Sequence, residues 1–549
     1  MLGLMQQQPL LISTLLRHAA RHHGEAEVIS VLESGDVHHT TWAETERRAR
    51  QLVRALQALG VREADRVGTL AWNDHRHLEV YYATSGMQAI CHTINPRLSP
   101  DDIAYIINHA GDSVVFIDPR FAGLIGGIAA KISDHIRAVV IMTDVIGMPT
   151  LELPHDMRLL CYDQLMADAD DDYAWPSFDE NTASALCYTS GTTGRPKGVL
   201  YSHRSTVIHA YAIALPDVLD LRAISRVLPV VPMFHVNAWG IPYATALTGS
   251  ALVLPGRHLD GASLARLLNQ ERVTMTCGVP TVWLGLLQHL RSSGEKLTTV
   301  TRIMTGGSAA PPLLIEAFRD EFGVAVEHGW GMTELSPVGT YNAAKPPQVA
   351  LSGEPAVRHM LKQGRVLPGL DMKIVDGDGQ ELPWDGKHFG DLLVRGPWVC
   401  SSYFGEADRA CDADGWFATG DVATIDPDGY MEITDRSKDV IKSGGEWISS
   451  ITLENIAVSH PDVAEAAVVA ARHPKWDERP LLLVVARTGH TVDPQSVLNA
   501  YSGQVAKWWL PDAVLVVDQL PHTATGKLLK TELRHRYQNY YVAAGTKET

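Results

Sequence analysis

The chain has 549 residues, with 47 Lys plus Arg against 63 Asp plus Glu and a formal net charge of −16. That length exceeds what one hydrophobic core serves, so two or more domains are expected. The acidic balance argues against nucleic acid or an anionic membrane as the main partner, and leaves room for a compact basic pocket around a phosphorylated ligand.

Six cysteines (Cys91, Cys161, Cys187, Cys277, Cys400 and Cys411) show no C-x-x-C spacing, so neither a zinc site nor a disulfide framework is indicated. Reduced, mostly buried thiols are the expectation. No basic residue precedes Arg17, unlike a secretory signal, and no apolar run reaches spanning length. The expected location is the cytoplasm.

In chain order, His18 and His22 sit four residues apart, a spacing that fits a solvated helix face better than a metal site lacking a third ligand. Thr41-Trp-Ala-Glu44 reads as a capping box, with Thr41 as N-cap and Glu44 reaching back. Ala49, Leu52, Val53 and Leu56 then share one helical face, and Gly60 closes the helix. Strand-like runs follow at Val67–Trp72, Ser113–Asp118 and Ala138–Thr143, separated by helix-like segments, which predicts a layered α/β domain. Gly123, Gly126 and Gly127 do not give G-x-G-x-x-G spacing, which speaks against a nicotinamide dehydrogenase.

The most informative run is Tyr188-Thr-Ser-Gly-Thr-Thr-Gly-Arg-Pro-Lys-Gly198. Gly191, Gly194 and Gly198 let backbone N–H groups approach an anion, Thr189, Ser190, Thr192 and Thr193 add hydroxyls, and Lys197 adds a charge. It is not the nucleotide P-loop, because Lys197 follows Pro196 rather than Gly. Downstream, Val231–Gly240 places His235 and Trp239 among apolar residues, and Gly306-Gly-Ser-Ala-Ala-Pro311 offers bare backbone for a flat base. His328-Gly-Trp-Gly-Met-Thr-Glu334 joins an aromatic face to a carboxylate suited to Mg²⁺. Asp421 offers a carboxylate for ribose hydroxyls, and Arg436 offers a cation for ribose or phosphate. A second Gly-rich loop, Lys442-Ser-Gly-Gly-Glu-Trp447, and Thr523-Ala-Thr-Gly-Lys527 follow.

A polar, turn-rich tract spans Asp371–Asp391. The last stretch has strands near Ala464–Ala471, Leu481–Ala486 and Ala513–Val517, a helix near Pro494–Trp508 and a basic final helix. It reads as a small α+β domain of residues 436–549 after a large domain of residues 1–435.

The order and spelling of these clusters resemble the adenylate-forming superfamily, in particular bacterial medium- and long-chain fatty acyl-CoA synthetases and 3-methylthiopropionate CoA ligases. The resemblance runs from Thr40 to the final helix and is most specific in Val231–Gly240 and Lys442–Ser450. It implies a large acyl-activating domain of layered α/β subdomains, a small mobile C-terminal domain, and a homodimer. The implied reaction has two halves: a carboxylate attacks the α-phosphate of ATP to give acyl-AMP and pyrophosphate, and coenzyme A sulfur then displaces AMP. Loading of a carrier protein is the alternative to coenzyme A.

Site roles follow from the same resemblance. Thr189 and Glu334 hold Mg²⁺. Ser190, Gly191, Thr192, Thr193, Gly194 and Lys197 grip the phosphates. Gly307, Ser308, His328, Gly329, Trp330, Gly331, Met332 and Thr333 line the nucleotide, with Trp330 on adenine and Asp421 and Arg436 on the ribose. His235, Val236, Trp239, Gly240, Gly306 and Gly307 line the acid, His235 together with Glu334 and Lys527 being the expected catalytic groups. Lys527 bridges carboxylate and α-phosphate. Lys438 marks the hinge, and Lys442, Gly444, Gly445, Glu446 and Trp447 line the thiol's approach. His522 stands where many relatives carry Arg or Lys. His235 replaces the Asp that amino-acid adenylating domains use for an amine, which favours a plain carboxylic acid. Trp239 is the expected gate of the acyl tunnel.

Overall fold

Near-continuous apolar runs such as Ser113–Ile117 and Ala138–Ile141 are what parallel strands buried on both faces require. A computed structural model, which describes residues 1, 3–132, 135–189, 195–444, 446–522 and 528–545, builds two such sheets from them. Packing separates the chain into two units. Residues Met1–Thr189, Pro196–Asp371 and Arg395–Phe417 make the first, and Met372–Val394 and Ala418–Thr549 make most of the second.

In the first unit, one sheet has seven strands. Arg158–Cys161, Ala138–Ile141, Asp112–Ile117, Arg66–Leu70, Ile90–Thr93 and Ala183–Tyr188 run parallel in that order, and Gly198–Ser202 turns back antiparallel at the edge. The other sheet has nine strands, among which Ala325–Gly331, Arg302–Thr305, Met275–Gly278, Arg226–Pro229 and Ala251–Leu254 are parallel neighbours. The three strands expected early in the chain are all present, shifted by one or two residues at their ends.

The helix Trp42–Ala58 buries Ala49, Leu52, Val53 and Leu56, and Gly60 follows it at φ +81°. Only half of the expected capping box forms. Thr41 Oγ1 accepts from Glu44 N at 3.3 Å, but the Glu44 carboxylate accepts from Arg47 at 2.7 and 2.9 Å instead of reaching back. A guanidinium fork one turn away gives it two charge-assisted bonds against one from a backbone N–H. His18 and His22 lie on an exposed face with ring centroids 5.0 Å apart, and His23 adds a third ring at 5.5 Å. Among the described residues no group of three His, Cys, Asp or Glu is placed to hold a metal.

The second unit holds a four-stranded sheet of Asp371–Val375, Phe389–Arg395, Phe417–Ile425 and Met431–Arg436. The tract read as turns from Asp371 therefore begins with a strand. Beyond it, Val463–His473 and Asp477–Ala486 pair antiparallel, and Ala513–Val516 lies parallel beside them. The helix expected over Pro494–Trp508 ends at Ala500, and Gly503, three residues on, takes a left-handed φ of +77°. Lys507–Trp509 forms a separate single turn. All six cysteines are free, and among the described residues no helix is long and apolar enough to cross a membrane.

Candidate active site

Parallel α/β sheets collect ligands beyond the carboxyl ends of their strands. In the nine-stranded sheet four neighbouring strands end side by side, three of them at residues the sequence assigned to the acid or the nucleotide. Arg226–Pro229 leads to Phe234 and His235, Met275–Gly278 to Val279, Arg302–Thr305 to Gly306–Ser308, and Ala325–Gly331 carries His328, Gly329 and Trp330. The fold thus brings together residues almost a hundred positions apart.

Bare backbone is needed at this edge. A Cβ on Gly306 would lie 2.8 Å from Gly329 O and 3.2 Å from the indole edge of Trp239, and one on Gly329 would lie 2.5 Å from Met304 Cε. His328 is buried and neutral in character, since burial lowers its pKa. Its Nε2 lies 3.2 Å from Ser308 O and its Nδ1 3.3 Å from Gln363 Nε2, so the ring fastens the Gly306–Ser308 turn. Trp330 packs on Gly339, where a Cβ would come within 2.6 Å of the indole.

The segment after His235 is unusual. Val236, Asn237, Ala238 and Trp239 have φ of +48°, +49°, +49° and +56°, and Gly240 follows at +78°. A left-handed turn of four side-chain-bearing residues costs about 1–2 kcal/mol for each of them, so neighbours must impose it. Asn237 Oδ1 accepts from Cys187 Sγ at 3.3 Å and from Tyr81 Oη at 3.4 Å. Asn73 holds the approach to the turn: its Nδ2 donates to Pro229 O and Val231 O at 3.0 and 2.9 Å, and its Oδ1 accepts from Met233 N at 2.6 Å. Gly240 fits because His209 leaves no room there, a Cβ falling 2.8 Å from its Nδ1. Trp239 is 8 % exposed, and His235 is half-buried. Asn73, Tyr81 and His209 were not singled out in the sequence. Each is an isolated polar residue in a buried helix or at a strand end, with no local motif to mark it.

The strand Ala183–Tyr188 delivers Thr189 to the start of the candidate phosphate loop. Ser190, Gly191, Thr192, Thr193 and Gly194 lie outside the described residues. The two ends of the loop are tied, since Thr189 N donates to Lys197 O at 2.9 Å and Lys197 N donates to Thr189 Oγ1 at 3.1 Å. Tyr188 Oη is 2.6 Å from His109 Nδ1. Glu334 is 7 % exposed and accepts from Tyr403 Oη at 2.8 Å, while Lys197 Nζ stands 4.6 Å above the Tyr403 ring and 3.4 Å from Glu406. Tyr201 Oη donates to Thr333 O at 2.6 Å, fastening the returning strand to the Glu334 turn.

In the second unit Asp421 and Arg436 are cross-strand partners, with Arg436 Nε 2.7 Å from Asp421 Oδ1. Asp421 is buried and Arg436 half-exposed, so the carboxylate is fixed by a group that itself faces solvent. Lys438 lies exposed in the turn after Arg436. Lys442 is exposed, and its N–H donates to Glu478 at 2.8 Å. Gly444, at φ +62°, donates its N–H to Trp476 O at 2.8 Å and lies under that indole, a Cβ falling 3.1 Å from it. Trp476 is exposed, with Lys475 Nζ 4.6 Å above its ring. Gly445, the side chains of Glu446 and Trp447, and Thr523–Lys527 with the candidate lysine lie outside the described residues. Their neighbours are held: His522 bridges to Leu528, Leu529 N donates to Pro521 O, and Lys530 Nζ contacts Glu454 and Ser450 at 2.6 Å each.

Residues 15–404 match the AMP-binding enzyme family and residues 452–527 the AMP-binding enzyme C-terminal domain. The chain is 52% identical to a 3-methylmercaptopropionyl-CoA ligase of Ruegeria lacuscaerulensis, over 98% of this chain and 99% of that protein. It is 50% identical to a medium-chain-fatty-acid–CoA ligase of Ectopseudomonas oleovorans, over 98% of each. The crystal structure of ATP-bound MatB from Rhodopseudomonas palustris superposes with a TM-score of 0.79 at 26% identity, covering 97% of this chain and all of that one.

Proposed function

The chain belongs to the AMP-binding enzyme family, and from that premise we propose that it is an AMP-forming acyl-CoA ligase acting on a medium-chain aliphatic acid. ATP and coenzyme A are its co-substrates. The observation that carries the choice of acid is the apolar wall at the sheet edge. Trp239 and Met304 close on Gly306 and Gly329, and Val279 Cγ1 lies 3.4 Å from where a Cβ on Gly307 would stand. An alkyl chain gains by leaving water against such a wall. The likeness to a 3-methylmercaptopropionyl-CoA ligase supports a second reading, a short thioether acid handled by the same chemistry.

A carboxylate is a weak nucleophile toward a phosphorus ringed by negative oxygens, so catalysis here is charge compensation and alignment. Thr189 supplies a hydroxyl oxygen and Glu334 a carboxylate oxygen, a hard donor set that fits Mg²⁺ where a nucleotide provides further oxygens. When bound, that ion neutralises phosphate charge. Lys197 adds a cation at the loop's exit, the backbone of residues 190–194 grips the phosphates, and Gly306, Gly307 and Ser308 receive the base beside Trp330. Asp421 and Arg436 hold the ribose. Lys527 supplies the charge between the attacking carboxylate and the α-phosphate, and His235 with Val236 and Gly240 borders the acid.

Thioester formation then uses other residues. Lys438 is the pivot between residues 1–435 and 436–549, and Lys442, Gly444, Gly445, Glu446 and Trp447 border the thiol. Trp239 acts as gate to the acyl chain. The enzyme works in the cytoplasm as a homodimer, which light scattering on the purified protein checks. Pyrophosphate release, screened across short, medium and long straight-chain acids, aryl acids and 3-methylthiopropionate, tests the reading as a whole. Medium-chain acids should lead with coenzyme A as acceptor. A lead for 3-methylthiopropionate selects the second reading, and thioester formed only on a carrier protein rejects both.

A further inference from the structure

Resting on the ligase reading above, we propose that Tyr403 is the positioning residue of the phosphate end of the site, setting Glu334 with its hydroxyl and Lys197 with its ring face. No motif connects these residues in the sequence. The fold connects them through the segment Trp398–Glu406, which is bonded to both sides. Trp398 Nε1 donates to Val338 O at 3.2 Å, Ser336 Oγ donates to Trp398 O at 3.1 Å, and Cys400 N donates to Glu334 O at 2.8 Å. Four residues on, Phe404 N donates to Gly198 O at 2.8 Å, at the first residue after the loop. The segment therefore spans from the Glu334 turn to the exit of the phosphate loop, with Tyr403 between its two anchors.

The side chain does two separate things. Its hydroxyl donates to Glu334 Oε1 at 2.8 Å, which fixes the rotation of a carboxylate that would otherwise turn about its last bond. Its ring lies 4.6 Å below Lys197 Nζ, within the range of cation–π attraction, and Glu406 at 3.4 Å holds the ammonium from another side. A lysine on a flexible four-carbon stem loses freedom on binding phosphate; one already resting on an aromatic face loses less. One residue thus orders, before nucleotide arrives, two groups that must act on it together.

The two functions separate by substitution. Tyr403→Phe keeps the ring and removes the hydroxyl, whereas Tyr403→Leu removes both. Binding of a non-hydrolysable ATP analogue by calorimetry, across a range of Mg²⁺ concentrations and with no acid or coenzyme A present, reads the effect. Tyr403→Phe should raise the Mg²⁺ needed for half-maximal binding by roughly threefold to tenfold, while affinity at saturating Mg²⁺ stays near wild type. Tyr403→Leu should weaken binding at saturating Mg²⁺ as well. In the double variant Tyr403→Phe with Glu334→Gln, the Mg²⁺ effect of losing the hydroxyl should disappear. Thermal unfolding of each variant checks that it folds. A Mg²⁺ curve for Tyr403→Phe that coincides with wild type, or a loss that is equal at all Mg²⁺ concentrations, overturns the assignment, as does full additivity in the double variant. Failure of the ligase reading looks different: wild type binds the analogue with Mg²⁺ but activates none of the acids.

Discussion

Glu334, the carboxylate proposed to meet the phosphate-bound ion, is 7 % exposed. Glu334→Gln keeps its size and its capacity to accept from Tyr403 while removing the anionic oxygen. We expect a raised Mg²⁺ requirement in pyrophosphate release with acid saturation unaffected; an unchanged Mg²⁺ curve moves the ion elsewhere. In the proposed mechanism Lys527 acts in the first half-reaction only. Lys527→Ala should lower acyl-AMP formation by roughly two to three orders of magnitude and largely spare thioester formation from supplied acyl-AMP. Near wild-type adenylation in the purified variant removes the role. Both residues could be proposed from the sequence because each lies in a run of specific spelling. Tyr403 and Asn73 could not, because what they do depends on partners 69 and more than 150 residues away, respectively.

At the scale of elements, the sequence showed the strands through their apolar runs and pointed to the candidate site through its glycines. The left-handed turn at Val236–Trp239 was not visible, since no glycine announces it before Gly240 and three of its four side chains are ordinary helix or core residues. A turn held against its own preference by its neighbours stores strain of the kind that collects at ligand clamps and switches. Trp239→Ala should loosen chain-length preference and weaken the coupling between ATP binding and acid binding. Acid affinity measured with and without a non-hydrolysable ATP analogue checks this, and a response to nucleotide that survives the substitution makes Trp239 a fixed wall. The second unit has its own fixed point. Lys530 and Glu454 form an ion pair at 2.6 Å, with side chains 10% and 14% exposed, and Glu454 also accepts from Val468 N at 2.7 Å. Lys530→Met strands a buried carboxylate, which costs about 3–5 kcal/mol, and pairing it with Glu454→Leu should recover much of that loss in chemical denaturation. Equal stability of wild type and Lys530→Met contradicts the pair's structural role.

Over the whole molecule, stability is tied to pH through histidines that the fold keeps neutral. Burial lowers His77 and His203 to about 4 and His209 to about 3. The hydrogen bonds agree, for His203 Nδ1 accepts from Ile12 N and His209 Nε2 accepts from Val338 N, both at 3.1 Å, so neither nitrogen has room for a proton. In the unfolded chain these rings take up protons near pH 6.5. The unfolded state therefore binds more protons as pH falls through that value, and stability present above it is lost below. Asp118 works in the opposite direction, since burial raises it to about 7 and the fold gains its proton as pH falls. The wild-type curve mixes both signs, so a single-site comparison is the decisive one. Urea unfolding of wild type and His209→Gln, followed by tryptophan fluorescence, isolates one ring. Between about pH 7.5 and about pH 5.5 wild type should lose roughly 1.3 kcal/mol relative to the variant, whose amide does not titrate and still accepts from Val338 N. A gap between the two proteins that is the same at both pH values means that His209 is protonated as readily in the fold as out of it, and the neutral acceptor beside Gly240 is then the wrong description.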